Sequence, residues 1–112
     1  MALTSALITN SITAVYSSTI SGSQLGNAIT SMIICNYTPS TTATVTLYAV
    51  PNSSGSVGTP SNTNMIVYQL SVPPGETVSL DQEKLVLSGN DTISAVASAN
   101  SVLSITISTL PV

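Results

Sequence analysis

The sequence predicts an all-β protein: a single β-sandwich or jelly-roll-like domain of about seven or eight antiparallel strands. Apolar residues rarely recur at helical spacing, whereas β-branched residues alternate with polar ones in short runs. The runs are separated by Gly, Pro and Asn, residues that turn a chain. The 112 residues make one domain. Strands without a helix to cover them must bury their apolar faces on each other, as two packed sheets do.

From the N-terminus, the stretch Leu3 to Ile20 is apolar but irregular and fits one long or two short strands. Ala28 to Tyr37 reads as a strand whose centre, Met32 to Cys35, is apolar on both faces, which suits a central or doubly covered position. In Thr42–Ala49, Ala43, Val45, Leu47 and Ala49 form the inward set, with Thr44, Thr46 and Tyr48 opposite. Residues 51–64, rich in Ser, Asn, Gly and Pro, form a 14-residue loop that fits either a contact arm or a tolerated insertion. The strand at about 65–72 places Ile66, Tyr68, Leu70 and Val72 on one face. Pro73-Pro74-Gly75 then forces a reversal, because the prolines lack ladder donors and the glycine supplies a turn conformation. Val78 with Leu80, then Leu85 to Leu87, give short strands before the turn Ser88-Gly89-Asn90-Asp91. Thr92–Ala99 and a last strand with Leu103, Ile105 and Ile107 inward read as a hairpin across Asn100-Ser101.

Composition excludes most chemistry. Charged residues make up 4% of the chain, with one Lys, no Arg and no His, against roughly 25% charged residues in an ordinary domain. Lys84 alone cannot neutralise a phosphate backbone, so no nucleic-acid partner is expected. The usual proton-transfer and anion-clamping residues are missing as well. The net charge of −3 produces only a weak field. Ser and Thr number 20 and 16 and take the places that Lys and Glu normally hold at the surface. Such a surface repels its own copies weakly, which suits a chain destined for an assembly.

The remaining candidates for chemistry are sparse. Asp81 and Glu83 alternate as a carboxylate pair for glycoside hydrolysis would, but Lys84 adjoins them and there is no Trp to bind a sugar ring. Asp81, Glu83 and Asp91 match no calcium-loop spacing, and zinc would find only Cys35 and the acids. A Ser–Lys pair with Lys84 has no support beyond the abundance of Ser. The Thr42, Thr44, Thr46 array is read as an ordinary exposed strand face. Cys35, in an apolar run without basic neighbours, is expected to be a buried small hydrophobe. No catalytic residue, cofactor or metal is expected. No signal-peptide pattern opens the chain and no apolar run is long enough to span a bilayer, so neither general secretion nor a membrane partner is expected.

One combination of segments goes further: Asn36-Tyr37; Thr44 to Pro51; Ile66 to Leu70; Gly75-Glu76-Thr77; Leu80 to Leu87; Gly89 to Ala95 with Ala97-Ser98-Ala99; and Ile105 to Ser108. Over about residues 28–109 it resembles a family of small tailed-phage virion proteins. The resemblance implies a non-enzymatic β-sandwich in many copies on the particle's outer surface, chiefly as a capsid decoration or cement protein. The alternatives are a tail, baseplate or fibre module and, more remotely, a carbohydrate-binding adhesin domain. The expected partners are copies of the chain itself, as a dimer or trimer, and major capsid or tail proteins. No functional site transfers with the resemblance. Within its segments, Leu85 and Leu87 read as core residues and Asp91 as a turn residue bonding backbone amides. Residues 1–27 and 51–64 lie outside the well-matched pattern and are expected to make particle-specific contacts. The candidate contact residues are Leu3, Leu7, Ile8, Ile12, Tyr16, Tyr48 and Val57.

Overall fold

The structure, a computed structural model, describes residues 2–80 and 85–112. Asp81, Glu83 and Lys84, the sites weighed above for carboxylate, calcium and Ser–Lys chemistry, lie outside the described residues. Nine strands are present among those described: β1 (Ala2–Ile8), β2 (Thr13–Ser17), β3 (Asn27–Asn36), β4 (Ala43–Val50), β5 (Met65–Val72), β6 (Thr77–Leu80), β7 (Leu85–Leu87), β8 (Thr92–Ala97) and β9 (Leu103–Pro111). They form two antiparallel sheets, ordered β1-β9-β3-β6 with β7 also on β3, and β2-β8-β4-β5. β6 and β7 occupy the same side of β3 one after the other, β6 against Met32–Cys35 and β7 against Asn27–Ile29. Counted as one position they leave eight, and the pairs β1–β9, β2–β8, β3–β6/β7 and β4–β5 are those of a jelly roll.

Inward side chains from both sheets make one core, including Ile8, Ile29, Ile34, Val45, Leu47, Val72, Ile93, Leu103, Ile105 and Ile107. β9 alternates as its sequence requires, with Leu103, Ile105 and Ile107 buried and Ser104, Thr106 and Ser108 half-buried on the outer face. The turn at 88–91 behaves as read: the Asp91 carboxylate accepts the Ser88 N–H at 2.8 Å, and Leu87 enters the core while Leu85 packs against it.

Several expectations are corrected. β8 and β9 are not a hairpin: β8 pairs β2 and β4, while β9 pairs β1 and β3 in the other sheet. In β5 the alternation breaks, because two residues, Tyr68 and Gln69, stand opposite the single Thr46. Gln69 has φ 49° and its N–H donates to Thr46 Oγ1 at 3.1 Å, the geometry of a bulge. The extra residue turns Val67 inward with Leu70 and leaves Ile66 and Tyr68 exposed. β3 is central in its sheet, but only one of its faces is covered: Ile33 is exposed and Cys35 half-buried, so the thiol is not a core hydrophobe. Tyr48, expected to face outward, is buried. Ala49 packs partly against the core as expected, and Val50 is buried under the returning 51–64 segment, where Gly58 sits against it.

A buried asparagine fixes each end of β3. Asn36 Nδ2 donates to the carbonyls of Thr41 at 2.6 Å and Val72 at 2.9 Å, while its Oδ1 accepts from Thr38 N–H and Oγ1. At the other end, Asn27 Nδ2 donates to Ser18 Oγ at 2.8 Å and Thr19 O at 2.9 Å. These are the points where the chain passes between sheets and its backbone groups leave the ladder, so a side-chain amide substitutes for the missing partners.

Candidate assembly surface

The outer face of the β1-β9-β3-β6 sheet is built by strand alternation. Where one residue of each pair is drawn into the core, its neighbour must point outward. The register then stacks the outward residues in rows: Leu3, Ser108 and Ser31; Ser5, Thr106, Ile33 and Ser79; Leu7, Ser104, Cys35 and Thr77. No ionisable side chain other than the Cys35 thiol stands in these rows. Among the described residues the face is therefore a carpet of hydroxyls, one thiol and large aliphatic side chains, Leu3, Leu7 and Ile33 in these rows and Leu110 with Val86 in a further one, and none of them carries a charge to repel an identical or an apolar surface.

The expected contact residues divide. Leu3 (74% exposed), Leu7, Ile12 and Val57 are open to solvent. Tyr16 is half-buried and lines a cleft of about 450 Å³ between the β1 and β2 edges, together with Ala2, Thr4, Ala14 and Val15. Ile8 (1%) and Tyr48 (7%) are buried and cannot contact a partner in this fold. Ile8 ends β1 where it turns into the core, and Tyr48 loses its exposure beside the irregular β4–β5 register. Leu3, Leu7 and Ile8 lie on one strand and Tyr16 on the neighbouring edge, whereas Val57 belongs to a separate loop.

Sequence reasoning missed Leu25, Tyr68 and Val86, all strongly exposed. Val86 was legible from alternation, lying between two core leucines. Tyr68 was hidden by the bulge.

The 51–64 segment is tied to the sandwich. Asp91 Oδ1 accepts from the Asn52 N–H at 2.7 Å and from Asn52 Nδ2 at 2.9 Å, and Asn90 Nδ2 donates to the Gly55 carbonyl at 2.6 Å. Asp91 thus joins its own turn to the long loop, a larger role than the turn alone. The loop presents Val57 from a fixed base.

Among the described residues, no three His, Cys, Asp or Glu side chains gather where they could hold a metal. No helix among those residues is long and apolar enough to cross a membrane.

No family model matches the chain, and no curated protein matches it. A solved chain from Bacillus endospore appendages, described as a novel family of disulfide-linked pili, is similar in fold, with a TM-score of 0.50 and 14% identity. The similarity covers 95% of this chain and 80% of that one.

Proposed function

We propose that the chain is a non-enzymatic structural subunit of a tailed-phage particle, carried in many copies on the outside of the head as a decoration or cement protein. The observation that carries this reading is the hydroxyl-and-aliphatic face of the five-stranded sheet, uncharged among the described residues, set on a slab of 46 × 27 × 21 Å. The segment pattern over about residues 28–109 supplies the particle. A rigid slab with such a face works mechanically: each copy bridges neighbouring shell subunits, and burial at about 25 cal/mol per Å² of apolar area adds across many copies.

A tail, baseplate or fibre module is the second reading. It has one observation of its own: the fold recurs in a chain of pili, so the sandwich is as compatible with a filament as with a shell. Cryo-electron microscopy of the particle tests both. Density for this sandwich repeating on the head lattice is the expected result, density confined to the tail selects the second reading, and a particle lacking the chain overturns both.

A further inference from the structure

The two sheets have four outer strands or strand pairs, and three of them are guarded against pairing. β2 has five residues and a bulge between Ala14 and Tyr16. β5 breaks register twice against β4. β6 and β7 divide one edge between them, with four and three described residues against separate stretches of β3. Bulges and interruptions of the strand are devices by which sheets keep their edges from recruiting other chains. β1 has neither: its seven residues run in unbroken register from Ala2 opposite Thr109 to Ile8 opposite Leu103, and it contains no charge and no proline.

We infer that the free edge of β1 pairs antiparallel with β1 of a second copy, about a two-fold axis through Ser5, to make one continuous sheet across the dimer. The occupant is argued from the strand's own sequence. Leu3-Thr4-Ser5-Ala6-Leu7 has matching ends about its centre. A two-fold at Ser5 therefore sets Ser5 on its symmetry mate, the small Thr4 on Ala6, and Leu3 on Leu7 of the other copy, twice. Opposed residues in an antiparallel pair share a face, so both leucine pairs fall on the uncharged outer face and both sandwiches lie on the same side of the joined sheet. A slip of one residue would flip one sandwich to the opposite side. A slip of two would separate the leucines. The side chains that β1 turns inward, Thr4 and Ala6, are small, and the cleft between the β1 and β2 edges opens along the same side of the molecule. An isologous contact of this kind closes on itself. The inference is independent of where on a particle the chain resides.

The test is the mass of the full chain by analytical ultracentrifugation, with charge-swap variants at two exposed positions. The native chain is expected at twice 11.4 kDa. Leu7→Glu is expected to weaken association at least tenfold, and Leu3→Lys with Leu7→Lys to abolish it. Leu3→Lys combined with Leu7→Glu is expected to restore the dimer, because each introduced lysine then faces the introduced glutamate of the other copy. Within one strand the two positions are roughly 13 Å apart, too far for the pair to rescue itself inside a single chain. Far-UV circular dichroism confirms that each variant is folded. For the native chain, hydrogen exchange supplies a second readout: β1 amides that do not bond β9 should become protected as protein concentration rises. A native chain that stays monomeric, an unchanged mass for the double-lysine variant, or failure of the opposite-charge pair to restore association overturns the inference.

Discussion

Asn36, at the end of β3, is hydrogen-bonded to Val72 of the other sheet, and replacing it is a sharp test of how the sandwich holds together. Its side chain is fully buried and makes four hydrogen bonds, at 2.6, 2.9, 3.0 and 2.7 Å. Asn36→Ala strands the Val72 carbonyl in a buried position, a loss of about 1–3 kcal/mol. The three partly buried bonds are expected to contribute about 0.5–1 kcal/mol each, because water can reach the groups left behind. The sum, about 2.5–6 kcal/mol, is a large part of the roughly 5–15 kcal/mol that holds a domain together. At about 4 °C per kcal/mol, Tm should fall by roughly 10–24 °C. Thermal and urea unfolding followed by circular dichroism measure this directly. Asn36→Asp is the control for direction: it keeps the acceptors for Thr38 but turns an oxygen toward two carbonyl oxygens. At pH 7 it should be at least as damaging as alanine, and near pH 3 its protonated carboxyl should regain one donor and recover part of the loss relative to alanine. A Tm within about 3 °C of native for Asn36→Ala, or a native-like Asn36→Asp at pH 7, would refute the account, since either corresponds to less than about 1 kcal/mol.

Three further outcomes follow from named contacts. Asp91→Ala removes the acceptor of three hydrogen bonds and should destabilise by about 2–4 kcal/mol; limited proteolysis should show new cleavage within 51–64, and an unchanged digestion pattern would deny Asp91 its anchoring role. Gly58→Ala would place a Cβ 2.3 Å from the Pro51 carbonyl oxygen and 3.2 Å from Val50 Cγ1, so unfolding free energy, read from urea midpoints, should fall by an amount typical of overpacking, about 1–3 kcal/mol. Gln69 holds φ 49°, so Gln69→Gly should be neutral or stabilising by up to about 1 kcal/mol while Gln69→Val should destabilise by about 1–2 kcal/mol; the reverse order in urea midpoints would show that the bulge is not strained as described.

The fold class was legible because alternation and turn residues are local properties: β9 could be read residue by residue, and so could the Ser88–Asp91 turn. What escaped was decided by backbone detail or by neighbours distant in sequence. Nothing in Tyr68-Gln69 announces a bulge, since Gln69 is not a residue that favours positive φ, yet that one insertion reverses which side chains of β5 meet solvent. The passage from β8 to β9 looked like a hairpin because a short turn reads the same whether the chain stays in one sheet or crosses to the other. Thr92 and Ser94 are polar and buried because β2 and β4 flank β8, which no local pattern encodes. The candidate surface was partly legible for the same reason: Leu3 and Leu7 could be picked out as apolar residues in an irregular strand. The burial of Ile8 and Tyr48 depends on partners that only the folded chain supplies.

The pairing of β1 with β9 has a consequence for how the protein comes to exist. Ala2 lies opposite Thr109, so β1 has no place to settle until β9, about a hundred residues further along, has been made. Such long-range closure slows folding and prolongs the period in which an unguarded strand can meet its neighbours. It also sets Ala2 and Thr109, far apart in sequence, side by side at one corner of the sandwich.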